Sequence, residues 1–432
     1  MKFRLVPLEM VVHGESTITF VILTIFVRPI RKITQCLEIA VKKTAIGVSV
    51  LSVLSALSGA ACAQSTVTLY GVIDEGFDYT NNVGEHALYA LSASDVEGSR
   101  WGLKGKEDLG GGLSAVFQLE NGYSVNTGKL GQEGLMFGRQ AYIGMSSTTA
   151  GSLTVGRQYD SVVDYLAPLT ANGGWAGAMF AHPYDNDNTD NTFRLNNAVK
   201  YTSANYGGLS FGGVYAFSNS TNFAANRAES IGAQYANGGL TVAAAYLNVD
   251  QPDNGTIGAV AIGPNGATDG NWTAGRQRIF GAGITYTMAS ATLGFVYTNT
   301  NLSNPEGTEY ANFAASPSLG AASSLKFNNF ELNAKYQFTP AFFVGVMYTY
   351  TQATYEAVSG GSAKAKYNQF GLMADYNVSK RTDVYVQGGY VKVSDAPGLA
   401  GTGLDVAANV DAAGPSSSSK QLMARVGVRH MF

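Results

Sequence analysis

From Thr66 to the C-terminus, apolar and polar positions alternate with a period of two, not 3.6. In Leu113-Ser114-Ala115-Val116-Phe117-Gln118-Leu119-Glu120, residues 113, 115, 117 and 119 fall on one face; Ser114, Gln118 and Glu120 fall on the other. Successive side chains of a strand point to opposite sides, so such a segment has one oily and one largely wet face. The same alternation recurs over 341–352, 367–377 and 381–391. No apolar stretch of about 20 residues follows residue 64, which excludes a helical membrane span there.

The breaks between alternating segments are short and long in turn. The short ones read DLGGG (108–112), STTAGS (147–152), ANYGG (204–208), ANGG (236–239), MAS (288–290), FTPA (338–341) and NVSKR (377–381). Gly, Asn and Pro supply the backbone angles of tight turns. Long polar connections are expected near 75–98, 124–138, 158–193, 218–229, 250–275, 299–325, 353–366 and 393–419. Seven short turns and eight long loops join about 16 strands. The expected fold class is all-β: a transmembrane antiparallel β-barrel with short periplasmic turns and long extracellular loops. A soluble sandwich or propeller would also alternate, but would not explain the short–long rhythm together with a terminal aromatic, Phe432.

Composition agrees. Charged residues are 14% of the chain and hydrophobic ones 45%, with 52 Gly, 24 Tyr and 21 Phe. Scarce charge without long apolar runs suits a sheet between lipid and water. Three segments are expected: an upstream extension, 1–40; a signal peptide, 41–63; and a barrel, 64–432. Lys42 and Lys43 form a basic start, 45–57 an apolar run, and Ala61-Cys62-Ala63 a cleavage pattern, with the mature chain beginning at Gln64. Lipidation at Cys62 is the rival, but Gly59 stands where a lipobox has Leu. A signal peptide forty residues into a chain implies that translation begins at Val41. Both cysteines, Cys36 and Cys62, precede the cleavage site, so neither a disulfide scaffold nor a Cys-based metal site is expected in the mature chain. Loss of residues 1–63 removes seven Lys/Arg and three Asp/Glu and leaves a charge of about −7, no footprint for nucleic acid.

The segments STVTLYGVIDEGFDYTNN (65–82), SRWGLKGKEDLGGGLSAVFQLENGYSVNTG (99–128), FGRQAYIGM (137–145), LTVGRQYDS (153–161), NNAVKYTSANYGGLSFGGVYAFSN (196–219) and VGVRHMF (426–432) resemble, in order and at both ends, the general porins of Gram-negative bacteria of the neisserial and burkholderial type. The resemblance implies a 16-stranded barrel, a homotrimer, and a third long loop folded into the lumen. It also implies a general-diffusion channel for small hydrophilic solutes and ions, with outer-membrane lipid, lipopolysaccharide and the barrel-assembly machinery as partners, and no cofactor. A substrate-specific channel of the same fold and a barrel acting as adhesin or enzyme are the alternatives. The third loop lacks the PEFGG-like signature of many relatives; Gly173-Gly174-Trp175 is the candidate equivalent.

Charge on the wet face carries the functional expectation. Trp101, Leu103 and Gly105 suit lipid, which turns Arg100, Lys104 and Lys106 inward; the same parity turns Lys200, Arg425 and Arg429 inward. A charge on the lipid face near the midplane costs about 2–4 kcal/mol. Arg100 and Arg139 match wall arginines of relatives, and Arg157 and Arg194 are grouped with them, although parity puts Arg139 with Ala141 and Arg157 with Val155. Strand-end bulges can reset direction. The third loop carries Asp160, Asp164, Asp185, Asp187 and Asp190, expected to face the basic wall, with modest anion preference as the result. The run 185–190 lacks the Gly and bidentate Glu of a calcium loop and is expected to be a solvated acidic tip. Only His86, His182 and His430 remain in the mature chain, and no G-x-S-x-G or P-loop pattern occurs. Phe432, ending an alternating strand, is the candidate assembly signal.

Overall fold

The period-two segments form strands in the computed structural model, which describes residues 6–10, 18–22, 65–252, 258–260, 272–308, 310–311 and 313–432. The chain divides into two units, 1–62 and 63–432. In the first, β1 (Val6–Met10) pairs antiparallel with β2 (Ile18–Ile22). The expected signal segment 41–63 and the cleavage pair Ala63 and Gln64 lie outside the described residues.

The second unit is a closed antiparallel barrel. Its strands are β3 (Thr66–Val83), β4 (His86–Ala93), β5 (Arg100–Gly110), β6 (Leu113–Gly122), β7 (Gln140–Ser147), β8 (Gly151–Gln158), β9 (Leu195–Thr202), β10 (Leu209–Ala216), β11 (Arg227–Asn237), β12 (Leu240–Asp250), β13 (Trp272–Met288), β14 (Ala291–Thr308), β15 (Ala322–Thr339), β16 (Phe342–Ala357), β17 (Ser362–Asn377), β18 (Thr382–Ser394) and β19 (Lys420–Met431). These 17 segments occupy 16 positions around the barrel. The lower half of β3 pairs with β5 (Val72↔Arg100) and the upper half with β4 (Glu75↔Ala93), so β4 and β5 are one barrel strand interrupted at 94–99. Closure is between β19 and β3, with Arg425 opposite Asp78. Phe432 and Gly71 exchange two backbone hydrogen bonds of 3.0 Å, which ties the C-terminus to the first strand.

All seven short turns lie where the sequence pattern puts them. Three of the long loops do not. The expected loops at 75–98, 299–325 and 353–366 are largely strand: β3 and β4 meet at a turn at 84–85, β14 and β15 extend to Thr308 and from Ala322, and β16 and β17 are joined by 358–361. Asn, Ser, Thr and Gly are frequent in these stretches, so a clean alternation of apolar with polar is lost although pairing continues, and β3 and β4 still carry exposed Phe77, Tyr89 and Leu91 there.

An outer and an inner face follow from parity. Ile231, Phe280, Ile284, Phe295, Leu332, Val346, Leu372, Val386 and Val428 point outward and are exposed. The inner faces of the same strands carry Gln277, Thr298, Asn329, Glu331, Thr349, Gln369 and Gln387, all buried. They are buried because the long segment between β8 and β9 lies inside the barrel. It runs through short helical turns at Val162–Leu166, Ala167–Leu169, Asn172–Ala176, Ala178–Phe180 and Pro183–Asp185.

Candidate functional site

The inner loop binds to one side of the wall and leaves the other open. Val162, Leu166 and Leu169 pack on Ala243, Leu247, Ile279 and Val296; Met179 and Phe180 pack on Met347, Met373 and Met423. Inward glycines make room: a Cβ at Gly345 would meet the Trp175 ring at 2.3 Å, and one at Gly371 the Phe180 ring at 2.4 Å. Trp175, part of the expected loop signature, is thus an anchor of the loop. Trp175 also stands edge-on to Phe180 and Phe343, at 5.5 and 6.3 Å between centroids.

A polar pin adds to these contacts. The His182 ring donates from Nδ1 to Asp187 (2.6 Å) and from Nε2 to Glu331 of β15 (3.0 Å), and all three side chains are fully buried. Burial opposes the imidazolium, but the Asp187 carboxylate outweighs it and holds the His182 pKa up to about 10. Burial acts to raise Asp187, and the charge of His182 overrides it, so that carboxyl stays below its ordinary range. Asp187 also accepts from the Thr298 hydroxyl and from Asn329. Asp185 accepts from the backbone N–H groups of Asp190 and Thr192. The run 185–189 is therefore completely buried, not a solvated tip. The reason is the lumen itself: backbone and side-chain amides of loop and wall replace water around each carboxylate.

Opposite the loop lies a cavity of about 730 Å³, lined among others by Asp95, Glu97, Arg100, Arg139, Asp190 and Arg194. Arg100 leaves β5 inward, ion-pairs with Glu97, and has its Nε 3.7 Å from Glu120. Arg139 precedes β7. Its backbone N–H donates to the Glu120 carbonyl, and because it precedes Gln140, the first paired residue of β7, its side chain reaches inward despite strand parity. Its Nε meets Glu120 at 2.9 Å and its Nη2 donates to Tyr159 at 3.1 Å. The two arginines thus share one carboxylate, which fixes both in place. Arg194 stacks over the Tyr159 ring at 5.8 Å. Asp190 faces the cavity from the loop; burial first, then the Asp411 charge, pushes its pKa up to about 7.

The remaining expected residues are placed differently. Lys200 ion-pairs with Asp164 and donates to the Tyr159 carbonyl (3.0 Å), joining wall to loop. Asp160 caps the first helical turn, accepting from Val162 N–H (2.7 Å) and from Asn188 (2.7 Å). Arg157 lies at a register shift between Gly156 and Gln158; its guanidinium donates to the Gly138 carbonyl (2.7 Å) and to Asn196 (2.6 Å), away from the cavity. Lys104 sits 5.0 Å over the Tyr70 ring, nearer the short-turn end. Arg425 is inward but fully buried among Asp78 (2.5 Å), Asp411 (2.5 Å) and Asp95 (3.3 Å). Arg429 bonds Asp383 (3.1 Å) and reaches Glu97 (3.5 Å).

Several residues of this site escape sequence reading. Asp78 and Glu97 lay in a stretch that reads as loop. His182 and Glu331 are 149 positions apart, and no local pattern joins them. Glu331, a carboxylate between outward Phe330 and Leu332, was the available signal.

A closed 16-position barrel with a loop folded inside is the setting for the comparisons. The family model described as Gram-negative porin matches residues 50–396. This chain belongs to that family. The porin is 31% identical to an outer membrane porin protein of Bordetella pertussis over 389 residues, covering 81% of this chain and 94% of that one. It is 30% identical to outer membrane porin protein 32 of Delftia acidovorans, covering 90% of this chain and all of the other. Among solved structures, an anion-selective porin from Comamonas acidovorans superposes with a TM-score of 0.65 at 23% identity, over 85% of this chain and the whole of that one. The porin is accordingly a channel-forming barrel of the Gram-negative outer membrane.

Proposed function

We propose that this porin is a trimeric, general-diffusion channel with a modest preference for anions, set where Arg100, Arg139 and Arg194 line the open side of the lumen. The observation that carries the reading is the sharing of Glu120 by Arg100 and Arg139, which holds two guanidinium groups at a fixed position on the open wall of the cavity. Charges in a narrow, low-dielectric passage act more strongly than on an open surface. Asp95, Glu97 and Asp190 line the same cavity with the opposite sign, so dipolar solutes are oriented as they pass. The anion selectivity named for the Comamonas porin supports the same sign. The test is the reversal potential of single channels under a salt gradient. An anion-directed potential is expected, and a cation-directed one would end this reading. Saturation of the current by one solute would favour the substrate-specific alternative; a barrel that conducts nothing would favour the adhesin.

Three further points belong to the reading. The trimer has support from the wall heights. Strands β7 to β10 have eight residues each, whereas a membrane β-strand needs about 9–11, so that side requires shielding by another copy. OmpT of Vibrio cholerae, solved in a trimer form, shares the fold with a TM-score of 0.57 at 16% identity. Catalysis is not part of the function: the buried His182–Asp187 pair, the arrangement most like an acid–base dyad among the described residues, has both ring nitrogens bonded and no exposure. The mature chain begins at Gln64 after removal of 41–63, with 1–40 an upstream extension; β3 starts only two residues later, at Thr66. N-terminal sequencing of precursor and mature protein tests both.

A further inference from the structure

The wall between β4 and β5 does not follow the ladder. Val72 of β3 pairs with Arg100 of β5, and Glu75 pairs with Ala93 of β4. Ile73 and Asp74 thus stand opposite the whole of 94–99, and the surplus chain bulges into the lumen. A bulge interrupts pairing and re-aims side chains. Its backbone N–H groups lose their strand partners and need others. Asp74 supplies them. Its Oδ2 accepts from the N–H groups of Val96 (2.8 Å) and Glu97 (2.7 Å). Its Oδ1 accepts from the Tyr385 hydroxyl of β18 (2.5 Å). The main chain of Asp74 holds both ends of the bulge. Its carbonyl accepts from the Ser94 N–H (2.9 Å) and the Ser99 hydroxyl (3.0 Å), and its N–H donates to the same Ser99 oxygen (3.0 Å).

Asp74 is fully buried and shares the inner face with Asp78, whereas Ile73 and Phe77 are exposed on the outer one. What it holds lies in the cavity. The Glu97 side chain is 33% exposed, while those of Asp74 and Asp95 are buried, so Glu97 is the member of the three that a passing ion meets. Glu97 ion-pairs with Arg100 and lies 3.5 Å from Arg429. The Gly98 carbonyl accepts from Arg100 Nη1 (3.1 Å), and a Cβ at Gly98 would meet the Arg139 guanidinium at 2.7 Å. The Asp95 carbonyl accepts from the Ala178 N–H of the inner loop (3.1 Å). The bulge therefore touches both wall arginines and the loop opposite, and one carboxylate behind it sets its shape.

We propose that Asp74 is a positioning residue for ion selectivity: it meets no permeating ion, and it holds Glu97 beside Arg100 as a fixed counter-charge that limits the anion preference of the cavity. The proposal rests on the reading that this cavity sets the selectivity. Coulomb energy falls with separation, so a counter-charge is effective only while it is kept close. Without the two bonds from Asp74, the backbone of Val96 and Glu97 has no fixed course. Glu97 then no longer opposes Arg100 where the ion passes, and the wall becomes more positive.

The test separates the hold of Asp74 from its charge. Asp74→Asn and Asp74→Ala remove the same negative charge. The Asn carboxamide oxygen can still accept from the Val96 and Glu97 N–H groups while its amino group donates to Tyr385; Ala can do neither. Reversal potentials of single channels under a KCl gradient give the ratio of chloride to potassium permeability. That ratio is expected to be about twofold higher in Asp74→Ala than in Asp74→Asn. In a Glu97→Gln background the difference should vanish, because no charge is left to position. Equal ratios in the two variants, or a difference that persists without Glu97, would overturn the proposal. Where Asp74→Ala yields no folded barrel, Ser99→Ala takes its place. It loosens the same bulge without changing any charge, so it should raise the ratio above wild type, and a wild-type ratio would overturn the proposal instead. The selectivity reading fails separately: a cation-selective wild type would end it, yet the comparison of Asn with Ala would still report the hold of Asp74 on Glu97.

Discussion

Arg100, at the start of β5, and Arg139, just before β7, reach one carboxylate, Glu120, and this geometry makes their contributions unequal. Arg139 has Glu120 and Tyr159 as close partners, whereas Arg100 holds Glu120 more loosely at 3.7 Å and divides itself with Glu97. Arg100→Ser should therefore remove one cavity charge without dislodging Glu120 from Arg139. The reversal potential is expected to move toward cations with little change in conductance; an unchanged potential would remove Arg100 from the selectivity site. His182 raises a different question, that of stability. It is an imidazolium between two buried carboxylates, and removing one member of such a set costs about 3–5 kcal/mol. His182→Gln should lower the unfolding midpoint of the protein accordingly. The sign with pH follows from the raised pKa. A group protonated more readily in the folded state contributes fully below its unfolded pKa, near 6.5, and that contribution disappears as pH rises through about 10. Wild type should thus lose stability relative to His182→Gln between pH 6.5 and 10. Parallel curves across that window would show that the ring is not charged.

At the scale of the element, the inner loop is held by shape more than by charge. The inward glycines of β16 and β17 admit Trp175 and Phe180 to within contact of the backbone, which larger residues would forbid. Gly345→Val should displace Trp175, free the loop from that side of the wall and enlarge the passage. Single-channel conductance is the measurement, with an increase and added current noise as the expected outcome; conductance equal to wild type would mean the loop tolerates the loss of its anchor. This also explains which elements were legible in the sequence. An outward strand face contacts only lipid or solvent, so its rule is local and period two reveals it, as at Leu113–Glu120. The inner face contacts a loop 188 to 211 positions away in these cases: Gln387 donates to the Ala176 carbonyl and Gln369 to the Met179 and Ala181 carbonyls. Nothing near Gln369 in the chain announces that partner. The same limitation made 185–190 read as a wet tip, since six polar residues in a row look identical whether water or amides surround them. Parity failed at Arg139 for a local reason instead: the residue precedes the first paired position of β7, Gln140, and its long side chain reaches inward to Glu120.

For the molecule as a whole, the unequal height of the wall is the feature with the widest consequence. Eight residues at about 3.3 Å each, tilted by about 45°, rise only about 19 Å. Strands β7 to β10 alone would leave polar loops within the hydrocarbon, while β13 to β17 exceed it by about five to nine residues. A barrel with one low and one high side is uncomfortable in a flat bilayer as a single copy. Placing the low side against neighbouring copies about a threefold axis removes the mismatch and exposes only the high side to lipid. Ile143 on β7 and Leu153 on β8 point outward and are more than half exposed, at 61% and 53%, in the middle of the low side. A single Ile143→Lys substitution would set a charge in that contact. In lipid the same change costs about 2–4 kcal/mol near the midplane and is accommodated by tilting the ammonium toward water; within a packed contact between copies there is no such escape, and three copies of the charge meet near one axis. The variant should therefore fold as a barrel yet run as monomer by native mass spectrometry, whereas Leu372→Lys, on the high side, should remain trimeric. If both variants stay trimeric, or if wild type is a monomer when extracted gently, the low side does not face a neighbour and the wall heights need another explanation.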